Sequence, residues 1–174
     1  MATKLVANIQ NSSRSVKGLK QKTWVFNRGD WTITKTNNTF SLAKIGSVVA
    51  FTAQGCKDYS NAGHELAVFE KLCSAFKHKF TLSVTDADGN TAAKAAARAN
   101  IDKADNIFVV VESNDGTLLG YGLDYGLWKT SQSGMANDNN AMTDIEFATK
   151  EGMEEEYSAY YCTMTAAQLD ALTV

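Results

Sequence analysis

The sequence predicts a mainly β fold of the α+β kind, with one or two helices packed on it. Three observations carry this. Short runs rich in β-branched and aromatic residues alternate at period two along most of the chain. Clusters of Gly, Asn and Asp separate the runs, and proline is absent, so the turns rest on residues that tolerate positive φ or cap a bend. One segment, 92–103 (AAKAAARANIDK), has the alanine-rich composition of a stable helix. The 174 residues fit a single structural domain spanning 1–174, with residues 1–20 forming an arm or a loop around Asn11-Ser12-Ser13-Arg14-Ser15.

In chain order, 23–27 (TWVFN) and 31–36 (WTITKT) read as two strands joined by Arg28-Gly29-Asp30, a hairpin pattern. That tripeptide also spells an integrin-binding motif, but turn chemistry accounts for it. Segments 39–45 and 47–53 follow as strands about a bend at Gly46, and 65–72 (ELAVFEKL) fits a helix face or a strand. In 76–85, Phe76, His78, Phe80, Leu82 and Val84 share one face. The run 106–112 (NIFVVVE) is the most apolar segment and is expected to be central and buried on both sides. Asn114-Asp115-Gly116 is a hairpin turn leading into 117–121. Strands are further expected at 141–149 and 154–162, and Thr165 with Gln168 has the spacing of a capping box opening a terminal helix.

Composition narrows the function classes. A net charge of −2 with dispersed Lys and Arg argues against a protein whose main task is gripping nucleic acid. The three cysteines, Cys56, Cys73 and Cys162, form no C-x-x-C pair and read as free thiols. No apolar run approaches a membrane span, and the first residues lack the apolar stretch of a signal peptide.

Motifs of catalysis are sparse. Gly120-Tyr121-Gly122-Leu123-Asp124-Tyr125-Gly126 is glycine-rich but opens no helix, so the glycines are expected at bends or close approaches. Asp86, Asp88 and Asn90 begin like a calcium loop but lack its later glycine and glutamate, which favours a turn and helix cap. The acidic run 151–156 reads as a solvated turn. His64 and His78 have no ligand-spaced partners, so a structural or solvated role is expected for each, with no cofactor and no metal. Cys56 with His64, or Cys73 with His78, would form a nucleophile–base pair only if the fold brought them together.

Aromatic residues offer a binding surface instead. Tyr121, Tyr125 and Trp128 cluster in one stretch, and Tyr157, Tyr160 and Tyr161 in another. The polar stretch 129–140 (KTSQSGMANDNN) is expected to be a long loop that reaches a neighbouring subunit. The interface candidates are therefore Tyr125, Trp128, Lys129, Ser131, Ser133, Met135, Asn137, Asp138, Asn139 and Asn140.

The layout from 16 to 162 resembles a known group. An opening VKGLKQKTWVFN, a Phe-rich strand, the Asn114-Asp115-Gly116 turn, Leu119-Gly120-Tyr121-Gly122, a Ser/Gly stretch through Ser133-Gly134 and the ending Glu154-Glu155-Glu156-Tyr157 follow in order. This is similar to small structural virion proteins of Bacteroidota phages, including crAss-like phages, of the tail-tube or head-to-tail connector ring type. The alanine-rich helix and the missing prolines depart from the pattern. The resemblance implies a tail-tube-like β-sandwich or barrel, assembled in the host cytoplasm into rings of the virion, without catalysis. Its partners would be copies of itself and neighbouring tail or portal proteins. It implies no membrane and no sequence-specific nucleic acid, though DNA can pass through the ring lumen. The rival expectation is a small soluble binding module or enzyme built around His64, His78 and the cysteines.

Overall fold

The computed structural model describes residues 18–54, 61–69, 73–85, 90–134 and 142–173. The fold is mainly β with two helices, and the strands form two packed sheets. The elements in order are β1 (Leu19–Asn27), β2 (Trp31–Thr36), β3 (Thr39–Lys44), β4 (Phe51–Gln54), β5 (Asn61–Phe69), β6 (Cys73–Thr85), α1 (Thr91–Lys103), β7 (Ile107–Ser113), β8 (Leu118–Tyr121), β9 (Trp128–Gly134), β10 (Met142–Ala148), β11 (Tyr160–Cys162) and α2 (Ala166–Asp170). A seven-stranded sheet has the order β2-β3-β11-β8-β7-β1-β4, and a four-stranded sheet the order β5-β6-β10-β9. All pairings are antiparallel except β3 with β11.

Arg28-Gly29-Asp30 is a single 3-10 turn, and it corrects the hairpin expectation: β1 and β2 do not pair. Four strands lie between them in the sheet order. In a flat sheet that separation would be about 24 Å at ~4.8 Å per strand, whereas the chain from Asn27 to Trp31 reaches roughly 15 Å at most. The large sheet must therefore roll. Its inner face holds Trp24, Phe26, Trp31, Phe40, Leu42, Phe108, Val110, Leu118, Leu123 and Tyr160 in one core. Phe26 stacks on Phe108 at 4.7 Å and meets Trp31 edge-on at 5.0 Å, so the ring contacts span the turn.

The C-terminal segment closes this roll. Thr165 caps α2 with the expected reciprocal box, its hydroxyl accepting from the Gln168 N–H. Leu169 is buried in the core, Asp170 accepts from the Trp24 indole N–H at 2.9 Å, and the Ala50 N–H donates to the Leu172 carbonyl.

β7 is buried on both faces, as its sequence predicts. Phe108 and Val110 point into the roll, while Ile107, Val109 and Val111 pack against Phe80, Leu82, Ile145 and Phe147 of the four-stranded sheet. α1 begins at Asn90, whose side chain accepts from the Ala93 N–H, and none of its residues is fully buried. Its Arg98 donates to the Thr143 hydroxyl, while Asp102 accepts from Gln132, so both face the small sheet.

Several boundaries differ from the sequence reading. The strand expected over 47–53 is confined to Phe51–Gln54, and that over 154–162 to Tyr160–Cys162. The ambiguous 65–72 is strand through Phe69, because β6 offers it a partner along its length. Of the expected loop over 129–140, residues 135–140 lie outside the described residues, and the first half is corrected: Trp128–Gly134 is β9, paired with β10. Its Ser and Thr residues accept extended backbone, and β10 satisfies the hydrogen bonds that a lone polar segment would give to water.

Val110→Asp is expected to abolish folding. An unpaired carboxylate at a fully buried site costs more than the whole marginal stability of a domain, about 5–15 kcal/mol. Circular dichroism and solubility of the variant check it; a soluble protein that unfolds cooperatively would contradict the buried placement.

Candidate functional site

Two fully buried polar residues, His78 and Glu155, lie where the loop after β8 meets the turn before β11. Gly122, at φ +80°, turns the chain there, and a Cβ at that position would meet Leu127 at 2.6 Å. Gly120, just before it, faces the Phe40 ring at 2.7 Å from a built Cβ, so a side chain rather than a backbone makes the close approach.

His78 of β6 is fully buried behind this loop. Its Nδ1 accepts from the Gly122 N–H at 3.0 Å, and its Nε2 lies 2.7 Å from the Tyr157 carbonyl. An amide donor at one nitrogen and a carbonyl acceptor at the other fix the neutral Nε2–H tautomer. Burial holds its pKa down at about 4. With both nitrogens engaged, His78 has none left for a ligand or for proton transfer. His64, directly across from it on β5, is exposed. Cys56 lies outside the described residues, and Cys162 is a half-buried free thiol.

Glu155 is the second fully buried polar residue. Its backbone bridges Phe76 of β6 in both directions, at 2.9 and 2.8 Å, which drags the side chain inward. The carboxyl accepts from the Asp124 N–H at 2.8 Å. Burial pushes its pKa up to about 7, against the pull of the Tyr125 N–H and the Lys35 and Arg28 charges. Asp124 is held at every polar atom. Its Oδ1 pairs with the Lys35 ammonium, its Oδ2 accepts from the Tyr160 hydroxyl and from the Glu156 N–H at 3.1 Å, and its carbonyl accepts from Arg28 at 2.8 Å. A cleft of about 360 Å³ opens over this centre, lined by Lys35, Asp124, Tyr125 and Glu154–Glu156 residues of the turn. Among the described residues, no group of three or more His, Cys, Asp or Glu is placed to hold a metal.

The acidic run thus divides. Glu151 and Glu156 are exposed, as a solvated turn requires, but Glu155 is not. Sequence reasoning missed Glu155, Asp124 and Lys35. The only local signal was a Tyr-bearing turn beside a glycine-rich one, and neither implies that they meet.

The interface candidates scatter around this region. Tyr125 is 54% exposed at the cleft. Trp128 is half-buried at the start of β9 with the Lys150 ammonium over its ring. Lys129 is tied to α1: its N–H donates to Asp105, and its ammonium to the Ile101 and Asp102 carbonyls. Ser131 and Ser133 are exposed on β9, opposite Glu146 and Asp144 of β10. Met135, Asn137, Asp138, Asn139 and Asn140 lie outside the described residues.

A second surface was not foreseen. β5 is an edge of the four-stranded sheet, paired only with β6 among the described residues. Ala62, His64, Leu66 and Val68 of β5 share a face with Phe80, His78 and Phe76 of β6. At Phe80 that face is packed into the core; farther along the pair it opens, leaving Leu66 56% and Val68 65% exposed.

Comparison with known proteins finds no family model, no curated protein and no solved structure that matches this chain.

His78 and Glu155 give opposite pH dependences. His78, lowered from 6.5 to about 4, contributes stability present above pH 6.5 and lost as pH falls toward 4. Glu155, raised from 4.5 to about 7, contributes stability present below pH 4.5 and lost as pH rises toward 7. Each amounts to roughly 3 kcal/mol at about 1.4 kcal/mol per pKa unit, so on acidification from neutrality the two oppose each other. Glu155→Gln is expected to lose more stability than the wild type between pH 6.5 and 4.5, and His78→Gln less. Urea unfolding of all three proteins across that window checks it; parallel curves would contradict the buried, charge-poor centre.

Proposed function

We propose that the chain is a structural phage virion subunit that forms rings in the tail tube or head-to-tail connector, with subunit contacts rather than catalysis as its function. The observation that carries this is the edge of β5, which among the described residues pairs only with β6. β5 is nine residues long, carries Glu65 as its single Asp, Glu, Lys or Arg and no Pro, and exposes Leu66 and Val68. Isolated soluble domains blunt such edges with charge, proline or a covering element, because an unpaired apolar strand templates association.

The opposite edge of the same sheet is β9, whose residues 130–134 are exposed. A strand of one copy pairing with the other edge of the next copy is a head-to-tail contact, which closes into a ring when its rotation divides a full turn. Pairing β5 to β9 would continue the four-stranded sheet from subunit to subunit as the lining of a ring through which DNA can pass. It would also place Tyr125, Trp128, Lys129, Ser131 and Ser133 at or beside the joint. The order of turns and strands that resembles Bacteroidota phage virion proteins supports a position in the virion, next to other tail or portal proteins.

Leu66→Glu with Val68→Lys tests the reading. Both sites are exposed, so the variant is expected to fold with a stability within about 0.5 kcal/mol of the wild type while remaining a monomer. The wild type is expected to sediment as rings or short tubes, visible by electron microscopy. A wild type that stays monomeric at high concentration, or a doubly charged variant that assembles as well, would overturn the β5 assignment.

A further inference from the structure

The surroundings of the Lys35–Asp124 pair exceed what a surface ion pair requires. Lys35 comes from β2, at one end of the rolled sheet, and Asp124 from the loop after β8. The ammonium is in contact with Asp124 Oδ1 and lies 5.3 Å from the centre of the Tyr160 ring. The Asp124 side chain is 12% exposed and that of Lys35 31%. The other carboxylate oxygen, Oδ2, receives two donors, the Tyr160 hydroxyl and the Glu156 N–H. Directly behind Asp124 sits the buried carboxyl of Glu155, accepting from the Asp124 N–H and flanked by Lys35 and Tyr160.

We propose that Lys35 and Asp124 condense into an intramolecular amide, with Glu155 as the proton relay. This cross-link goes beyond the assembly role and does not depend on it. The chemistry balances within the site. Across the Lys35–Asp124 contact the ammonium passes one proton to Oδ1, which gives the amine and the acid that react. The Nζ lone pair attacks Asp124 Cγ, forming the C–N bond, and negative charge develops on Oδ2. The Tyr160 and Glu156 donors already point at that oxygen and stabilise the charge as an oxyanion hole does. Glu155 delivers its proton to Oδ1, which departs as water, and the carboxylate left behind takes a proton from the nitrogen. The net change is an ammonium and a carboxylate converted to one amide and one water, with no oxidant, reductant or cofactor. Glu155 can relay because burial keeps a proton on it up to about pH 7. The fixed contact between amine and carboxyl replaces the activation that a free acid and amine would need.

The bond would tie β2 to the loop after β8 and so brace the rolled sheet across its interior. A ring subunit carrying load between its neighbours gains from such a brace, because unrolling the sheet then requires breaking a covalent bond.

Intact mass spectrometry of the folded, then denatured, protein tests the proposal. The wild type is expected to weigh one water less than its sequence, and proteolysis is expected to release one branched peptide joining Lys35 to Asp124. Lys35→Arg keeps the charge but cannot form this amide, and it is expected at full mass. Glu155→Gln keeps an acceptor for the Asp124 N–H; it is expected to fold, as judged by circular dichroism, and to remain at full mass. The Lys35→Arg protein is expected to melt lower than the wild type by roughly 10 °C, the size of effect expected when a long loop loses its covalent closure. Folded wild type at full mass would overturn the proposal and leave an ion pair only. Glu155→Gln that loses water as completely and as fast as the wild type would overturn the role given to Glu155.

Discussion

Strand β7 meets side chains on both faces, and the rest of the structure is arranged around that constraint. Its even-numbered residues Phe108 and Val110 complete the core inside the rolled sheet, and its odd-numbered Ile107, Val109 and Val111 complete the core between the sheets. One strand therefore belongs to two hydrophobic clusters, and neither can form without it. The roll follows from a second constraint, the three-residue link from β1 to β2, which forces strands far apart in the sheet order to meet. Phe26, Trp31 and Phe108 fill the space created by that curl, and α2 closes its end through Leu169 and the Trp24–Asp170 hydrogen bond.

Rolling one sheet against another leaves a seam at which backbone polar groups are cut off from water. The loop after β8 and the turn before β11 meet there, and His78 and Glu155 satisfy their amides and carbonyls. Desolvation favours the neutral form of each, so near neutrality His78 is uncharged without cost whereas the burial of Glu155 opposes folding. Asp124 is enclosed beside them by Lys35, the Tyr160 hydroxyl, the Glu156 N–H and Arg28. The same enclosure that makes the seam a structural joint sets the Lys35 amine against the Asp124 carboxyl and the Glu155 carboxyl on the Asp124 N–H.

The two ends of the small sheet are treated differently. At β9, Lys129 and Gln132 are bound to the end of α1, so that edge is partly covered. At β5 the described residues offer no such cover, and apolar residues stand in water. On the proposed function, this asymmetry would supply the two unlike edges that head-to-tail pairing requires. The polar composition of 129–134 suits an edge strand whose residues 130–134 face water.

By itself the sequence determined the local conformations. The unbroken apolar run in 106–112 specified a strand with no polar face, alanine-rich 92–103 a helix capped at Asn90, and Thr165 with Gln168 the start of α2; these signals are legible because each depends on residues within one turn or one pleat. The partners of each strand were decided only by the tertiary structure. Arg28-Gly29-Asp30 looks locally like a hairpin turn, but β1 gains more by burying Trp24 and Phe26 beside β7 than by pairing with β2. The polar 129–134 becomes a strand because β10 lies alongside it, and Glu155 is buried because its backbone joins Phe76, far away in sequence. Lys35, Asp124, Glu155 and Tyr160 come from four separate elements or loops, so no periodicity or spacing could announce their meeting. Their proximity follows from the curl of the large sheet, which is set by the sum of long-range contacts and not by any one segment.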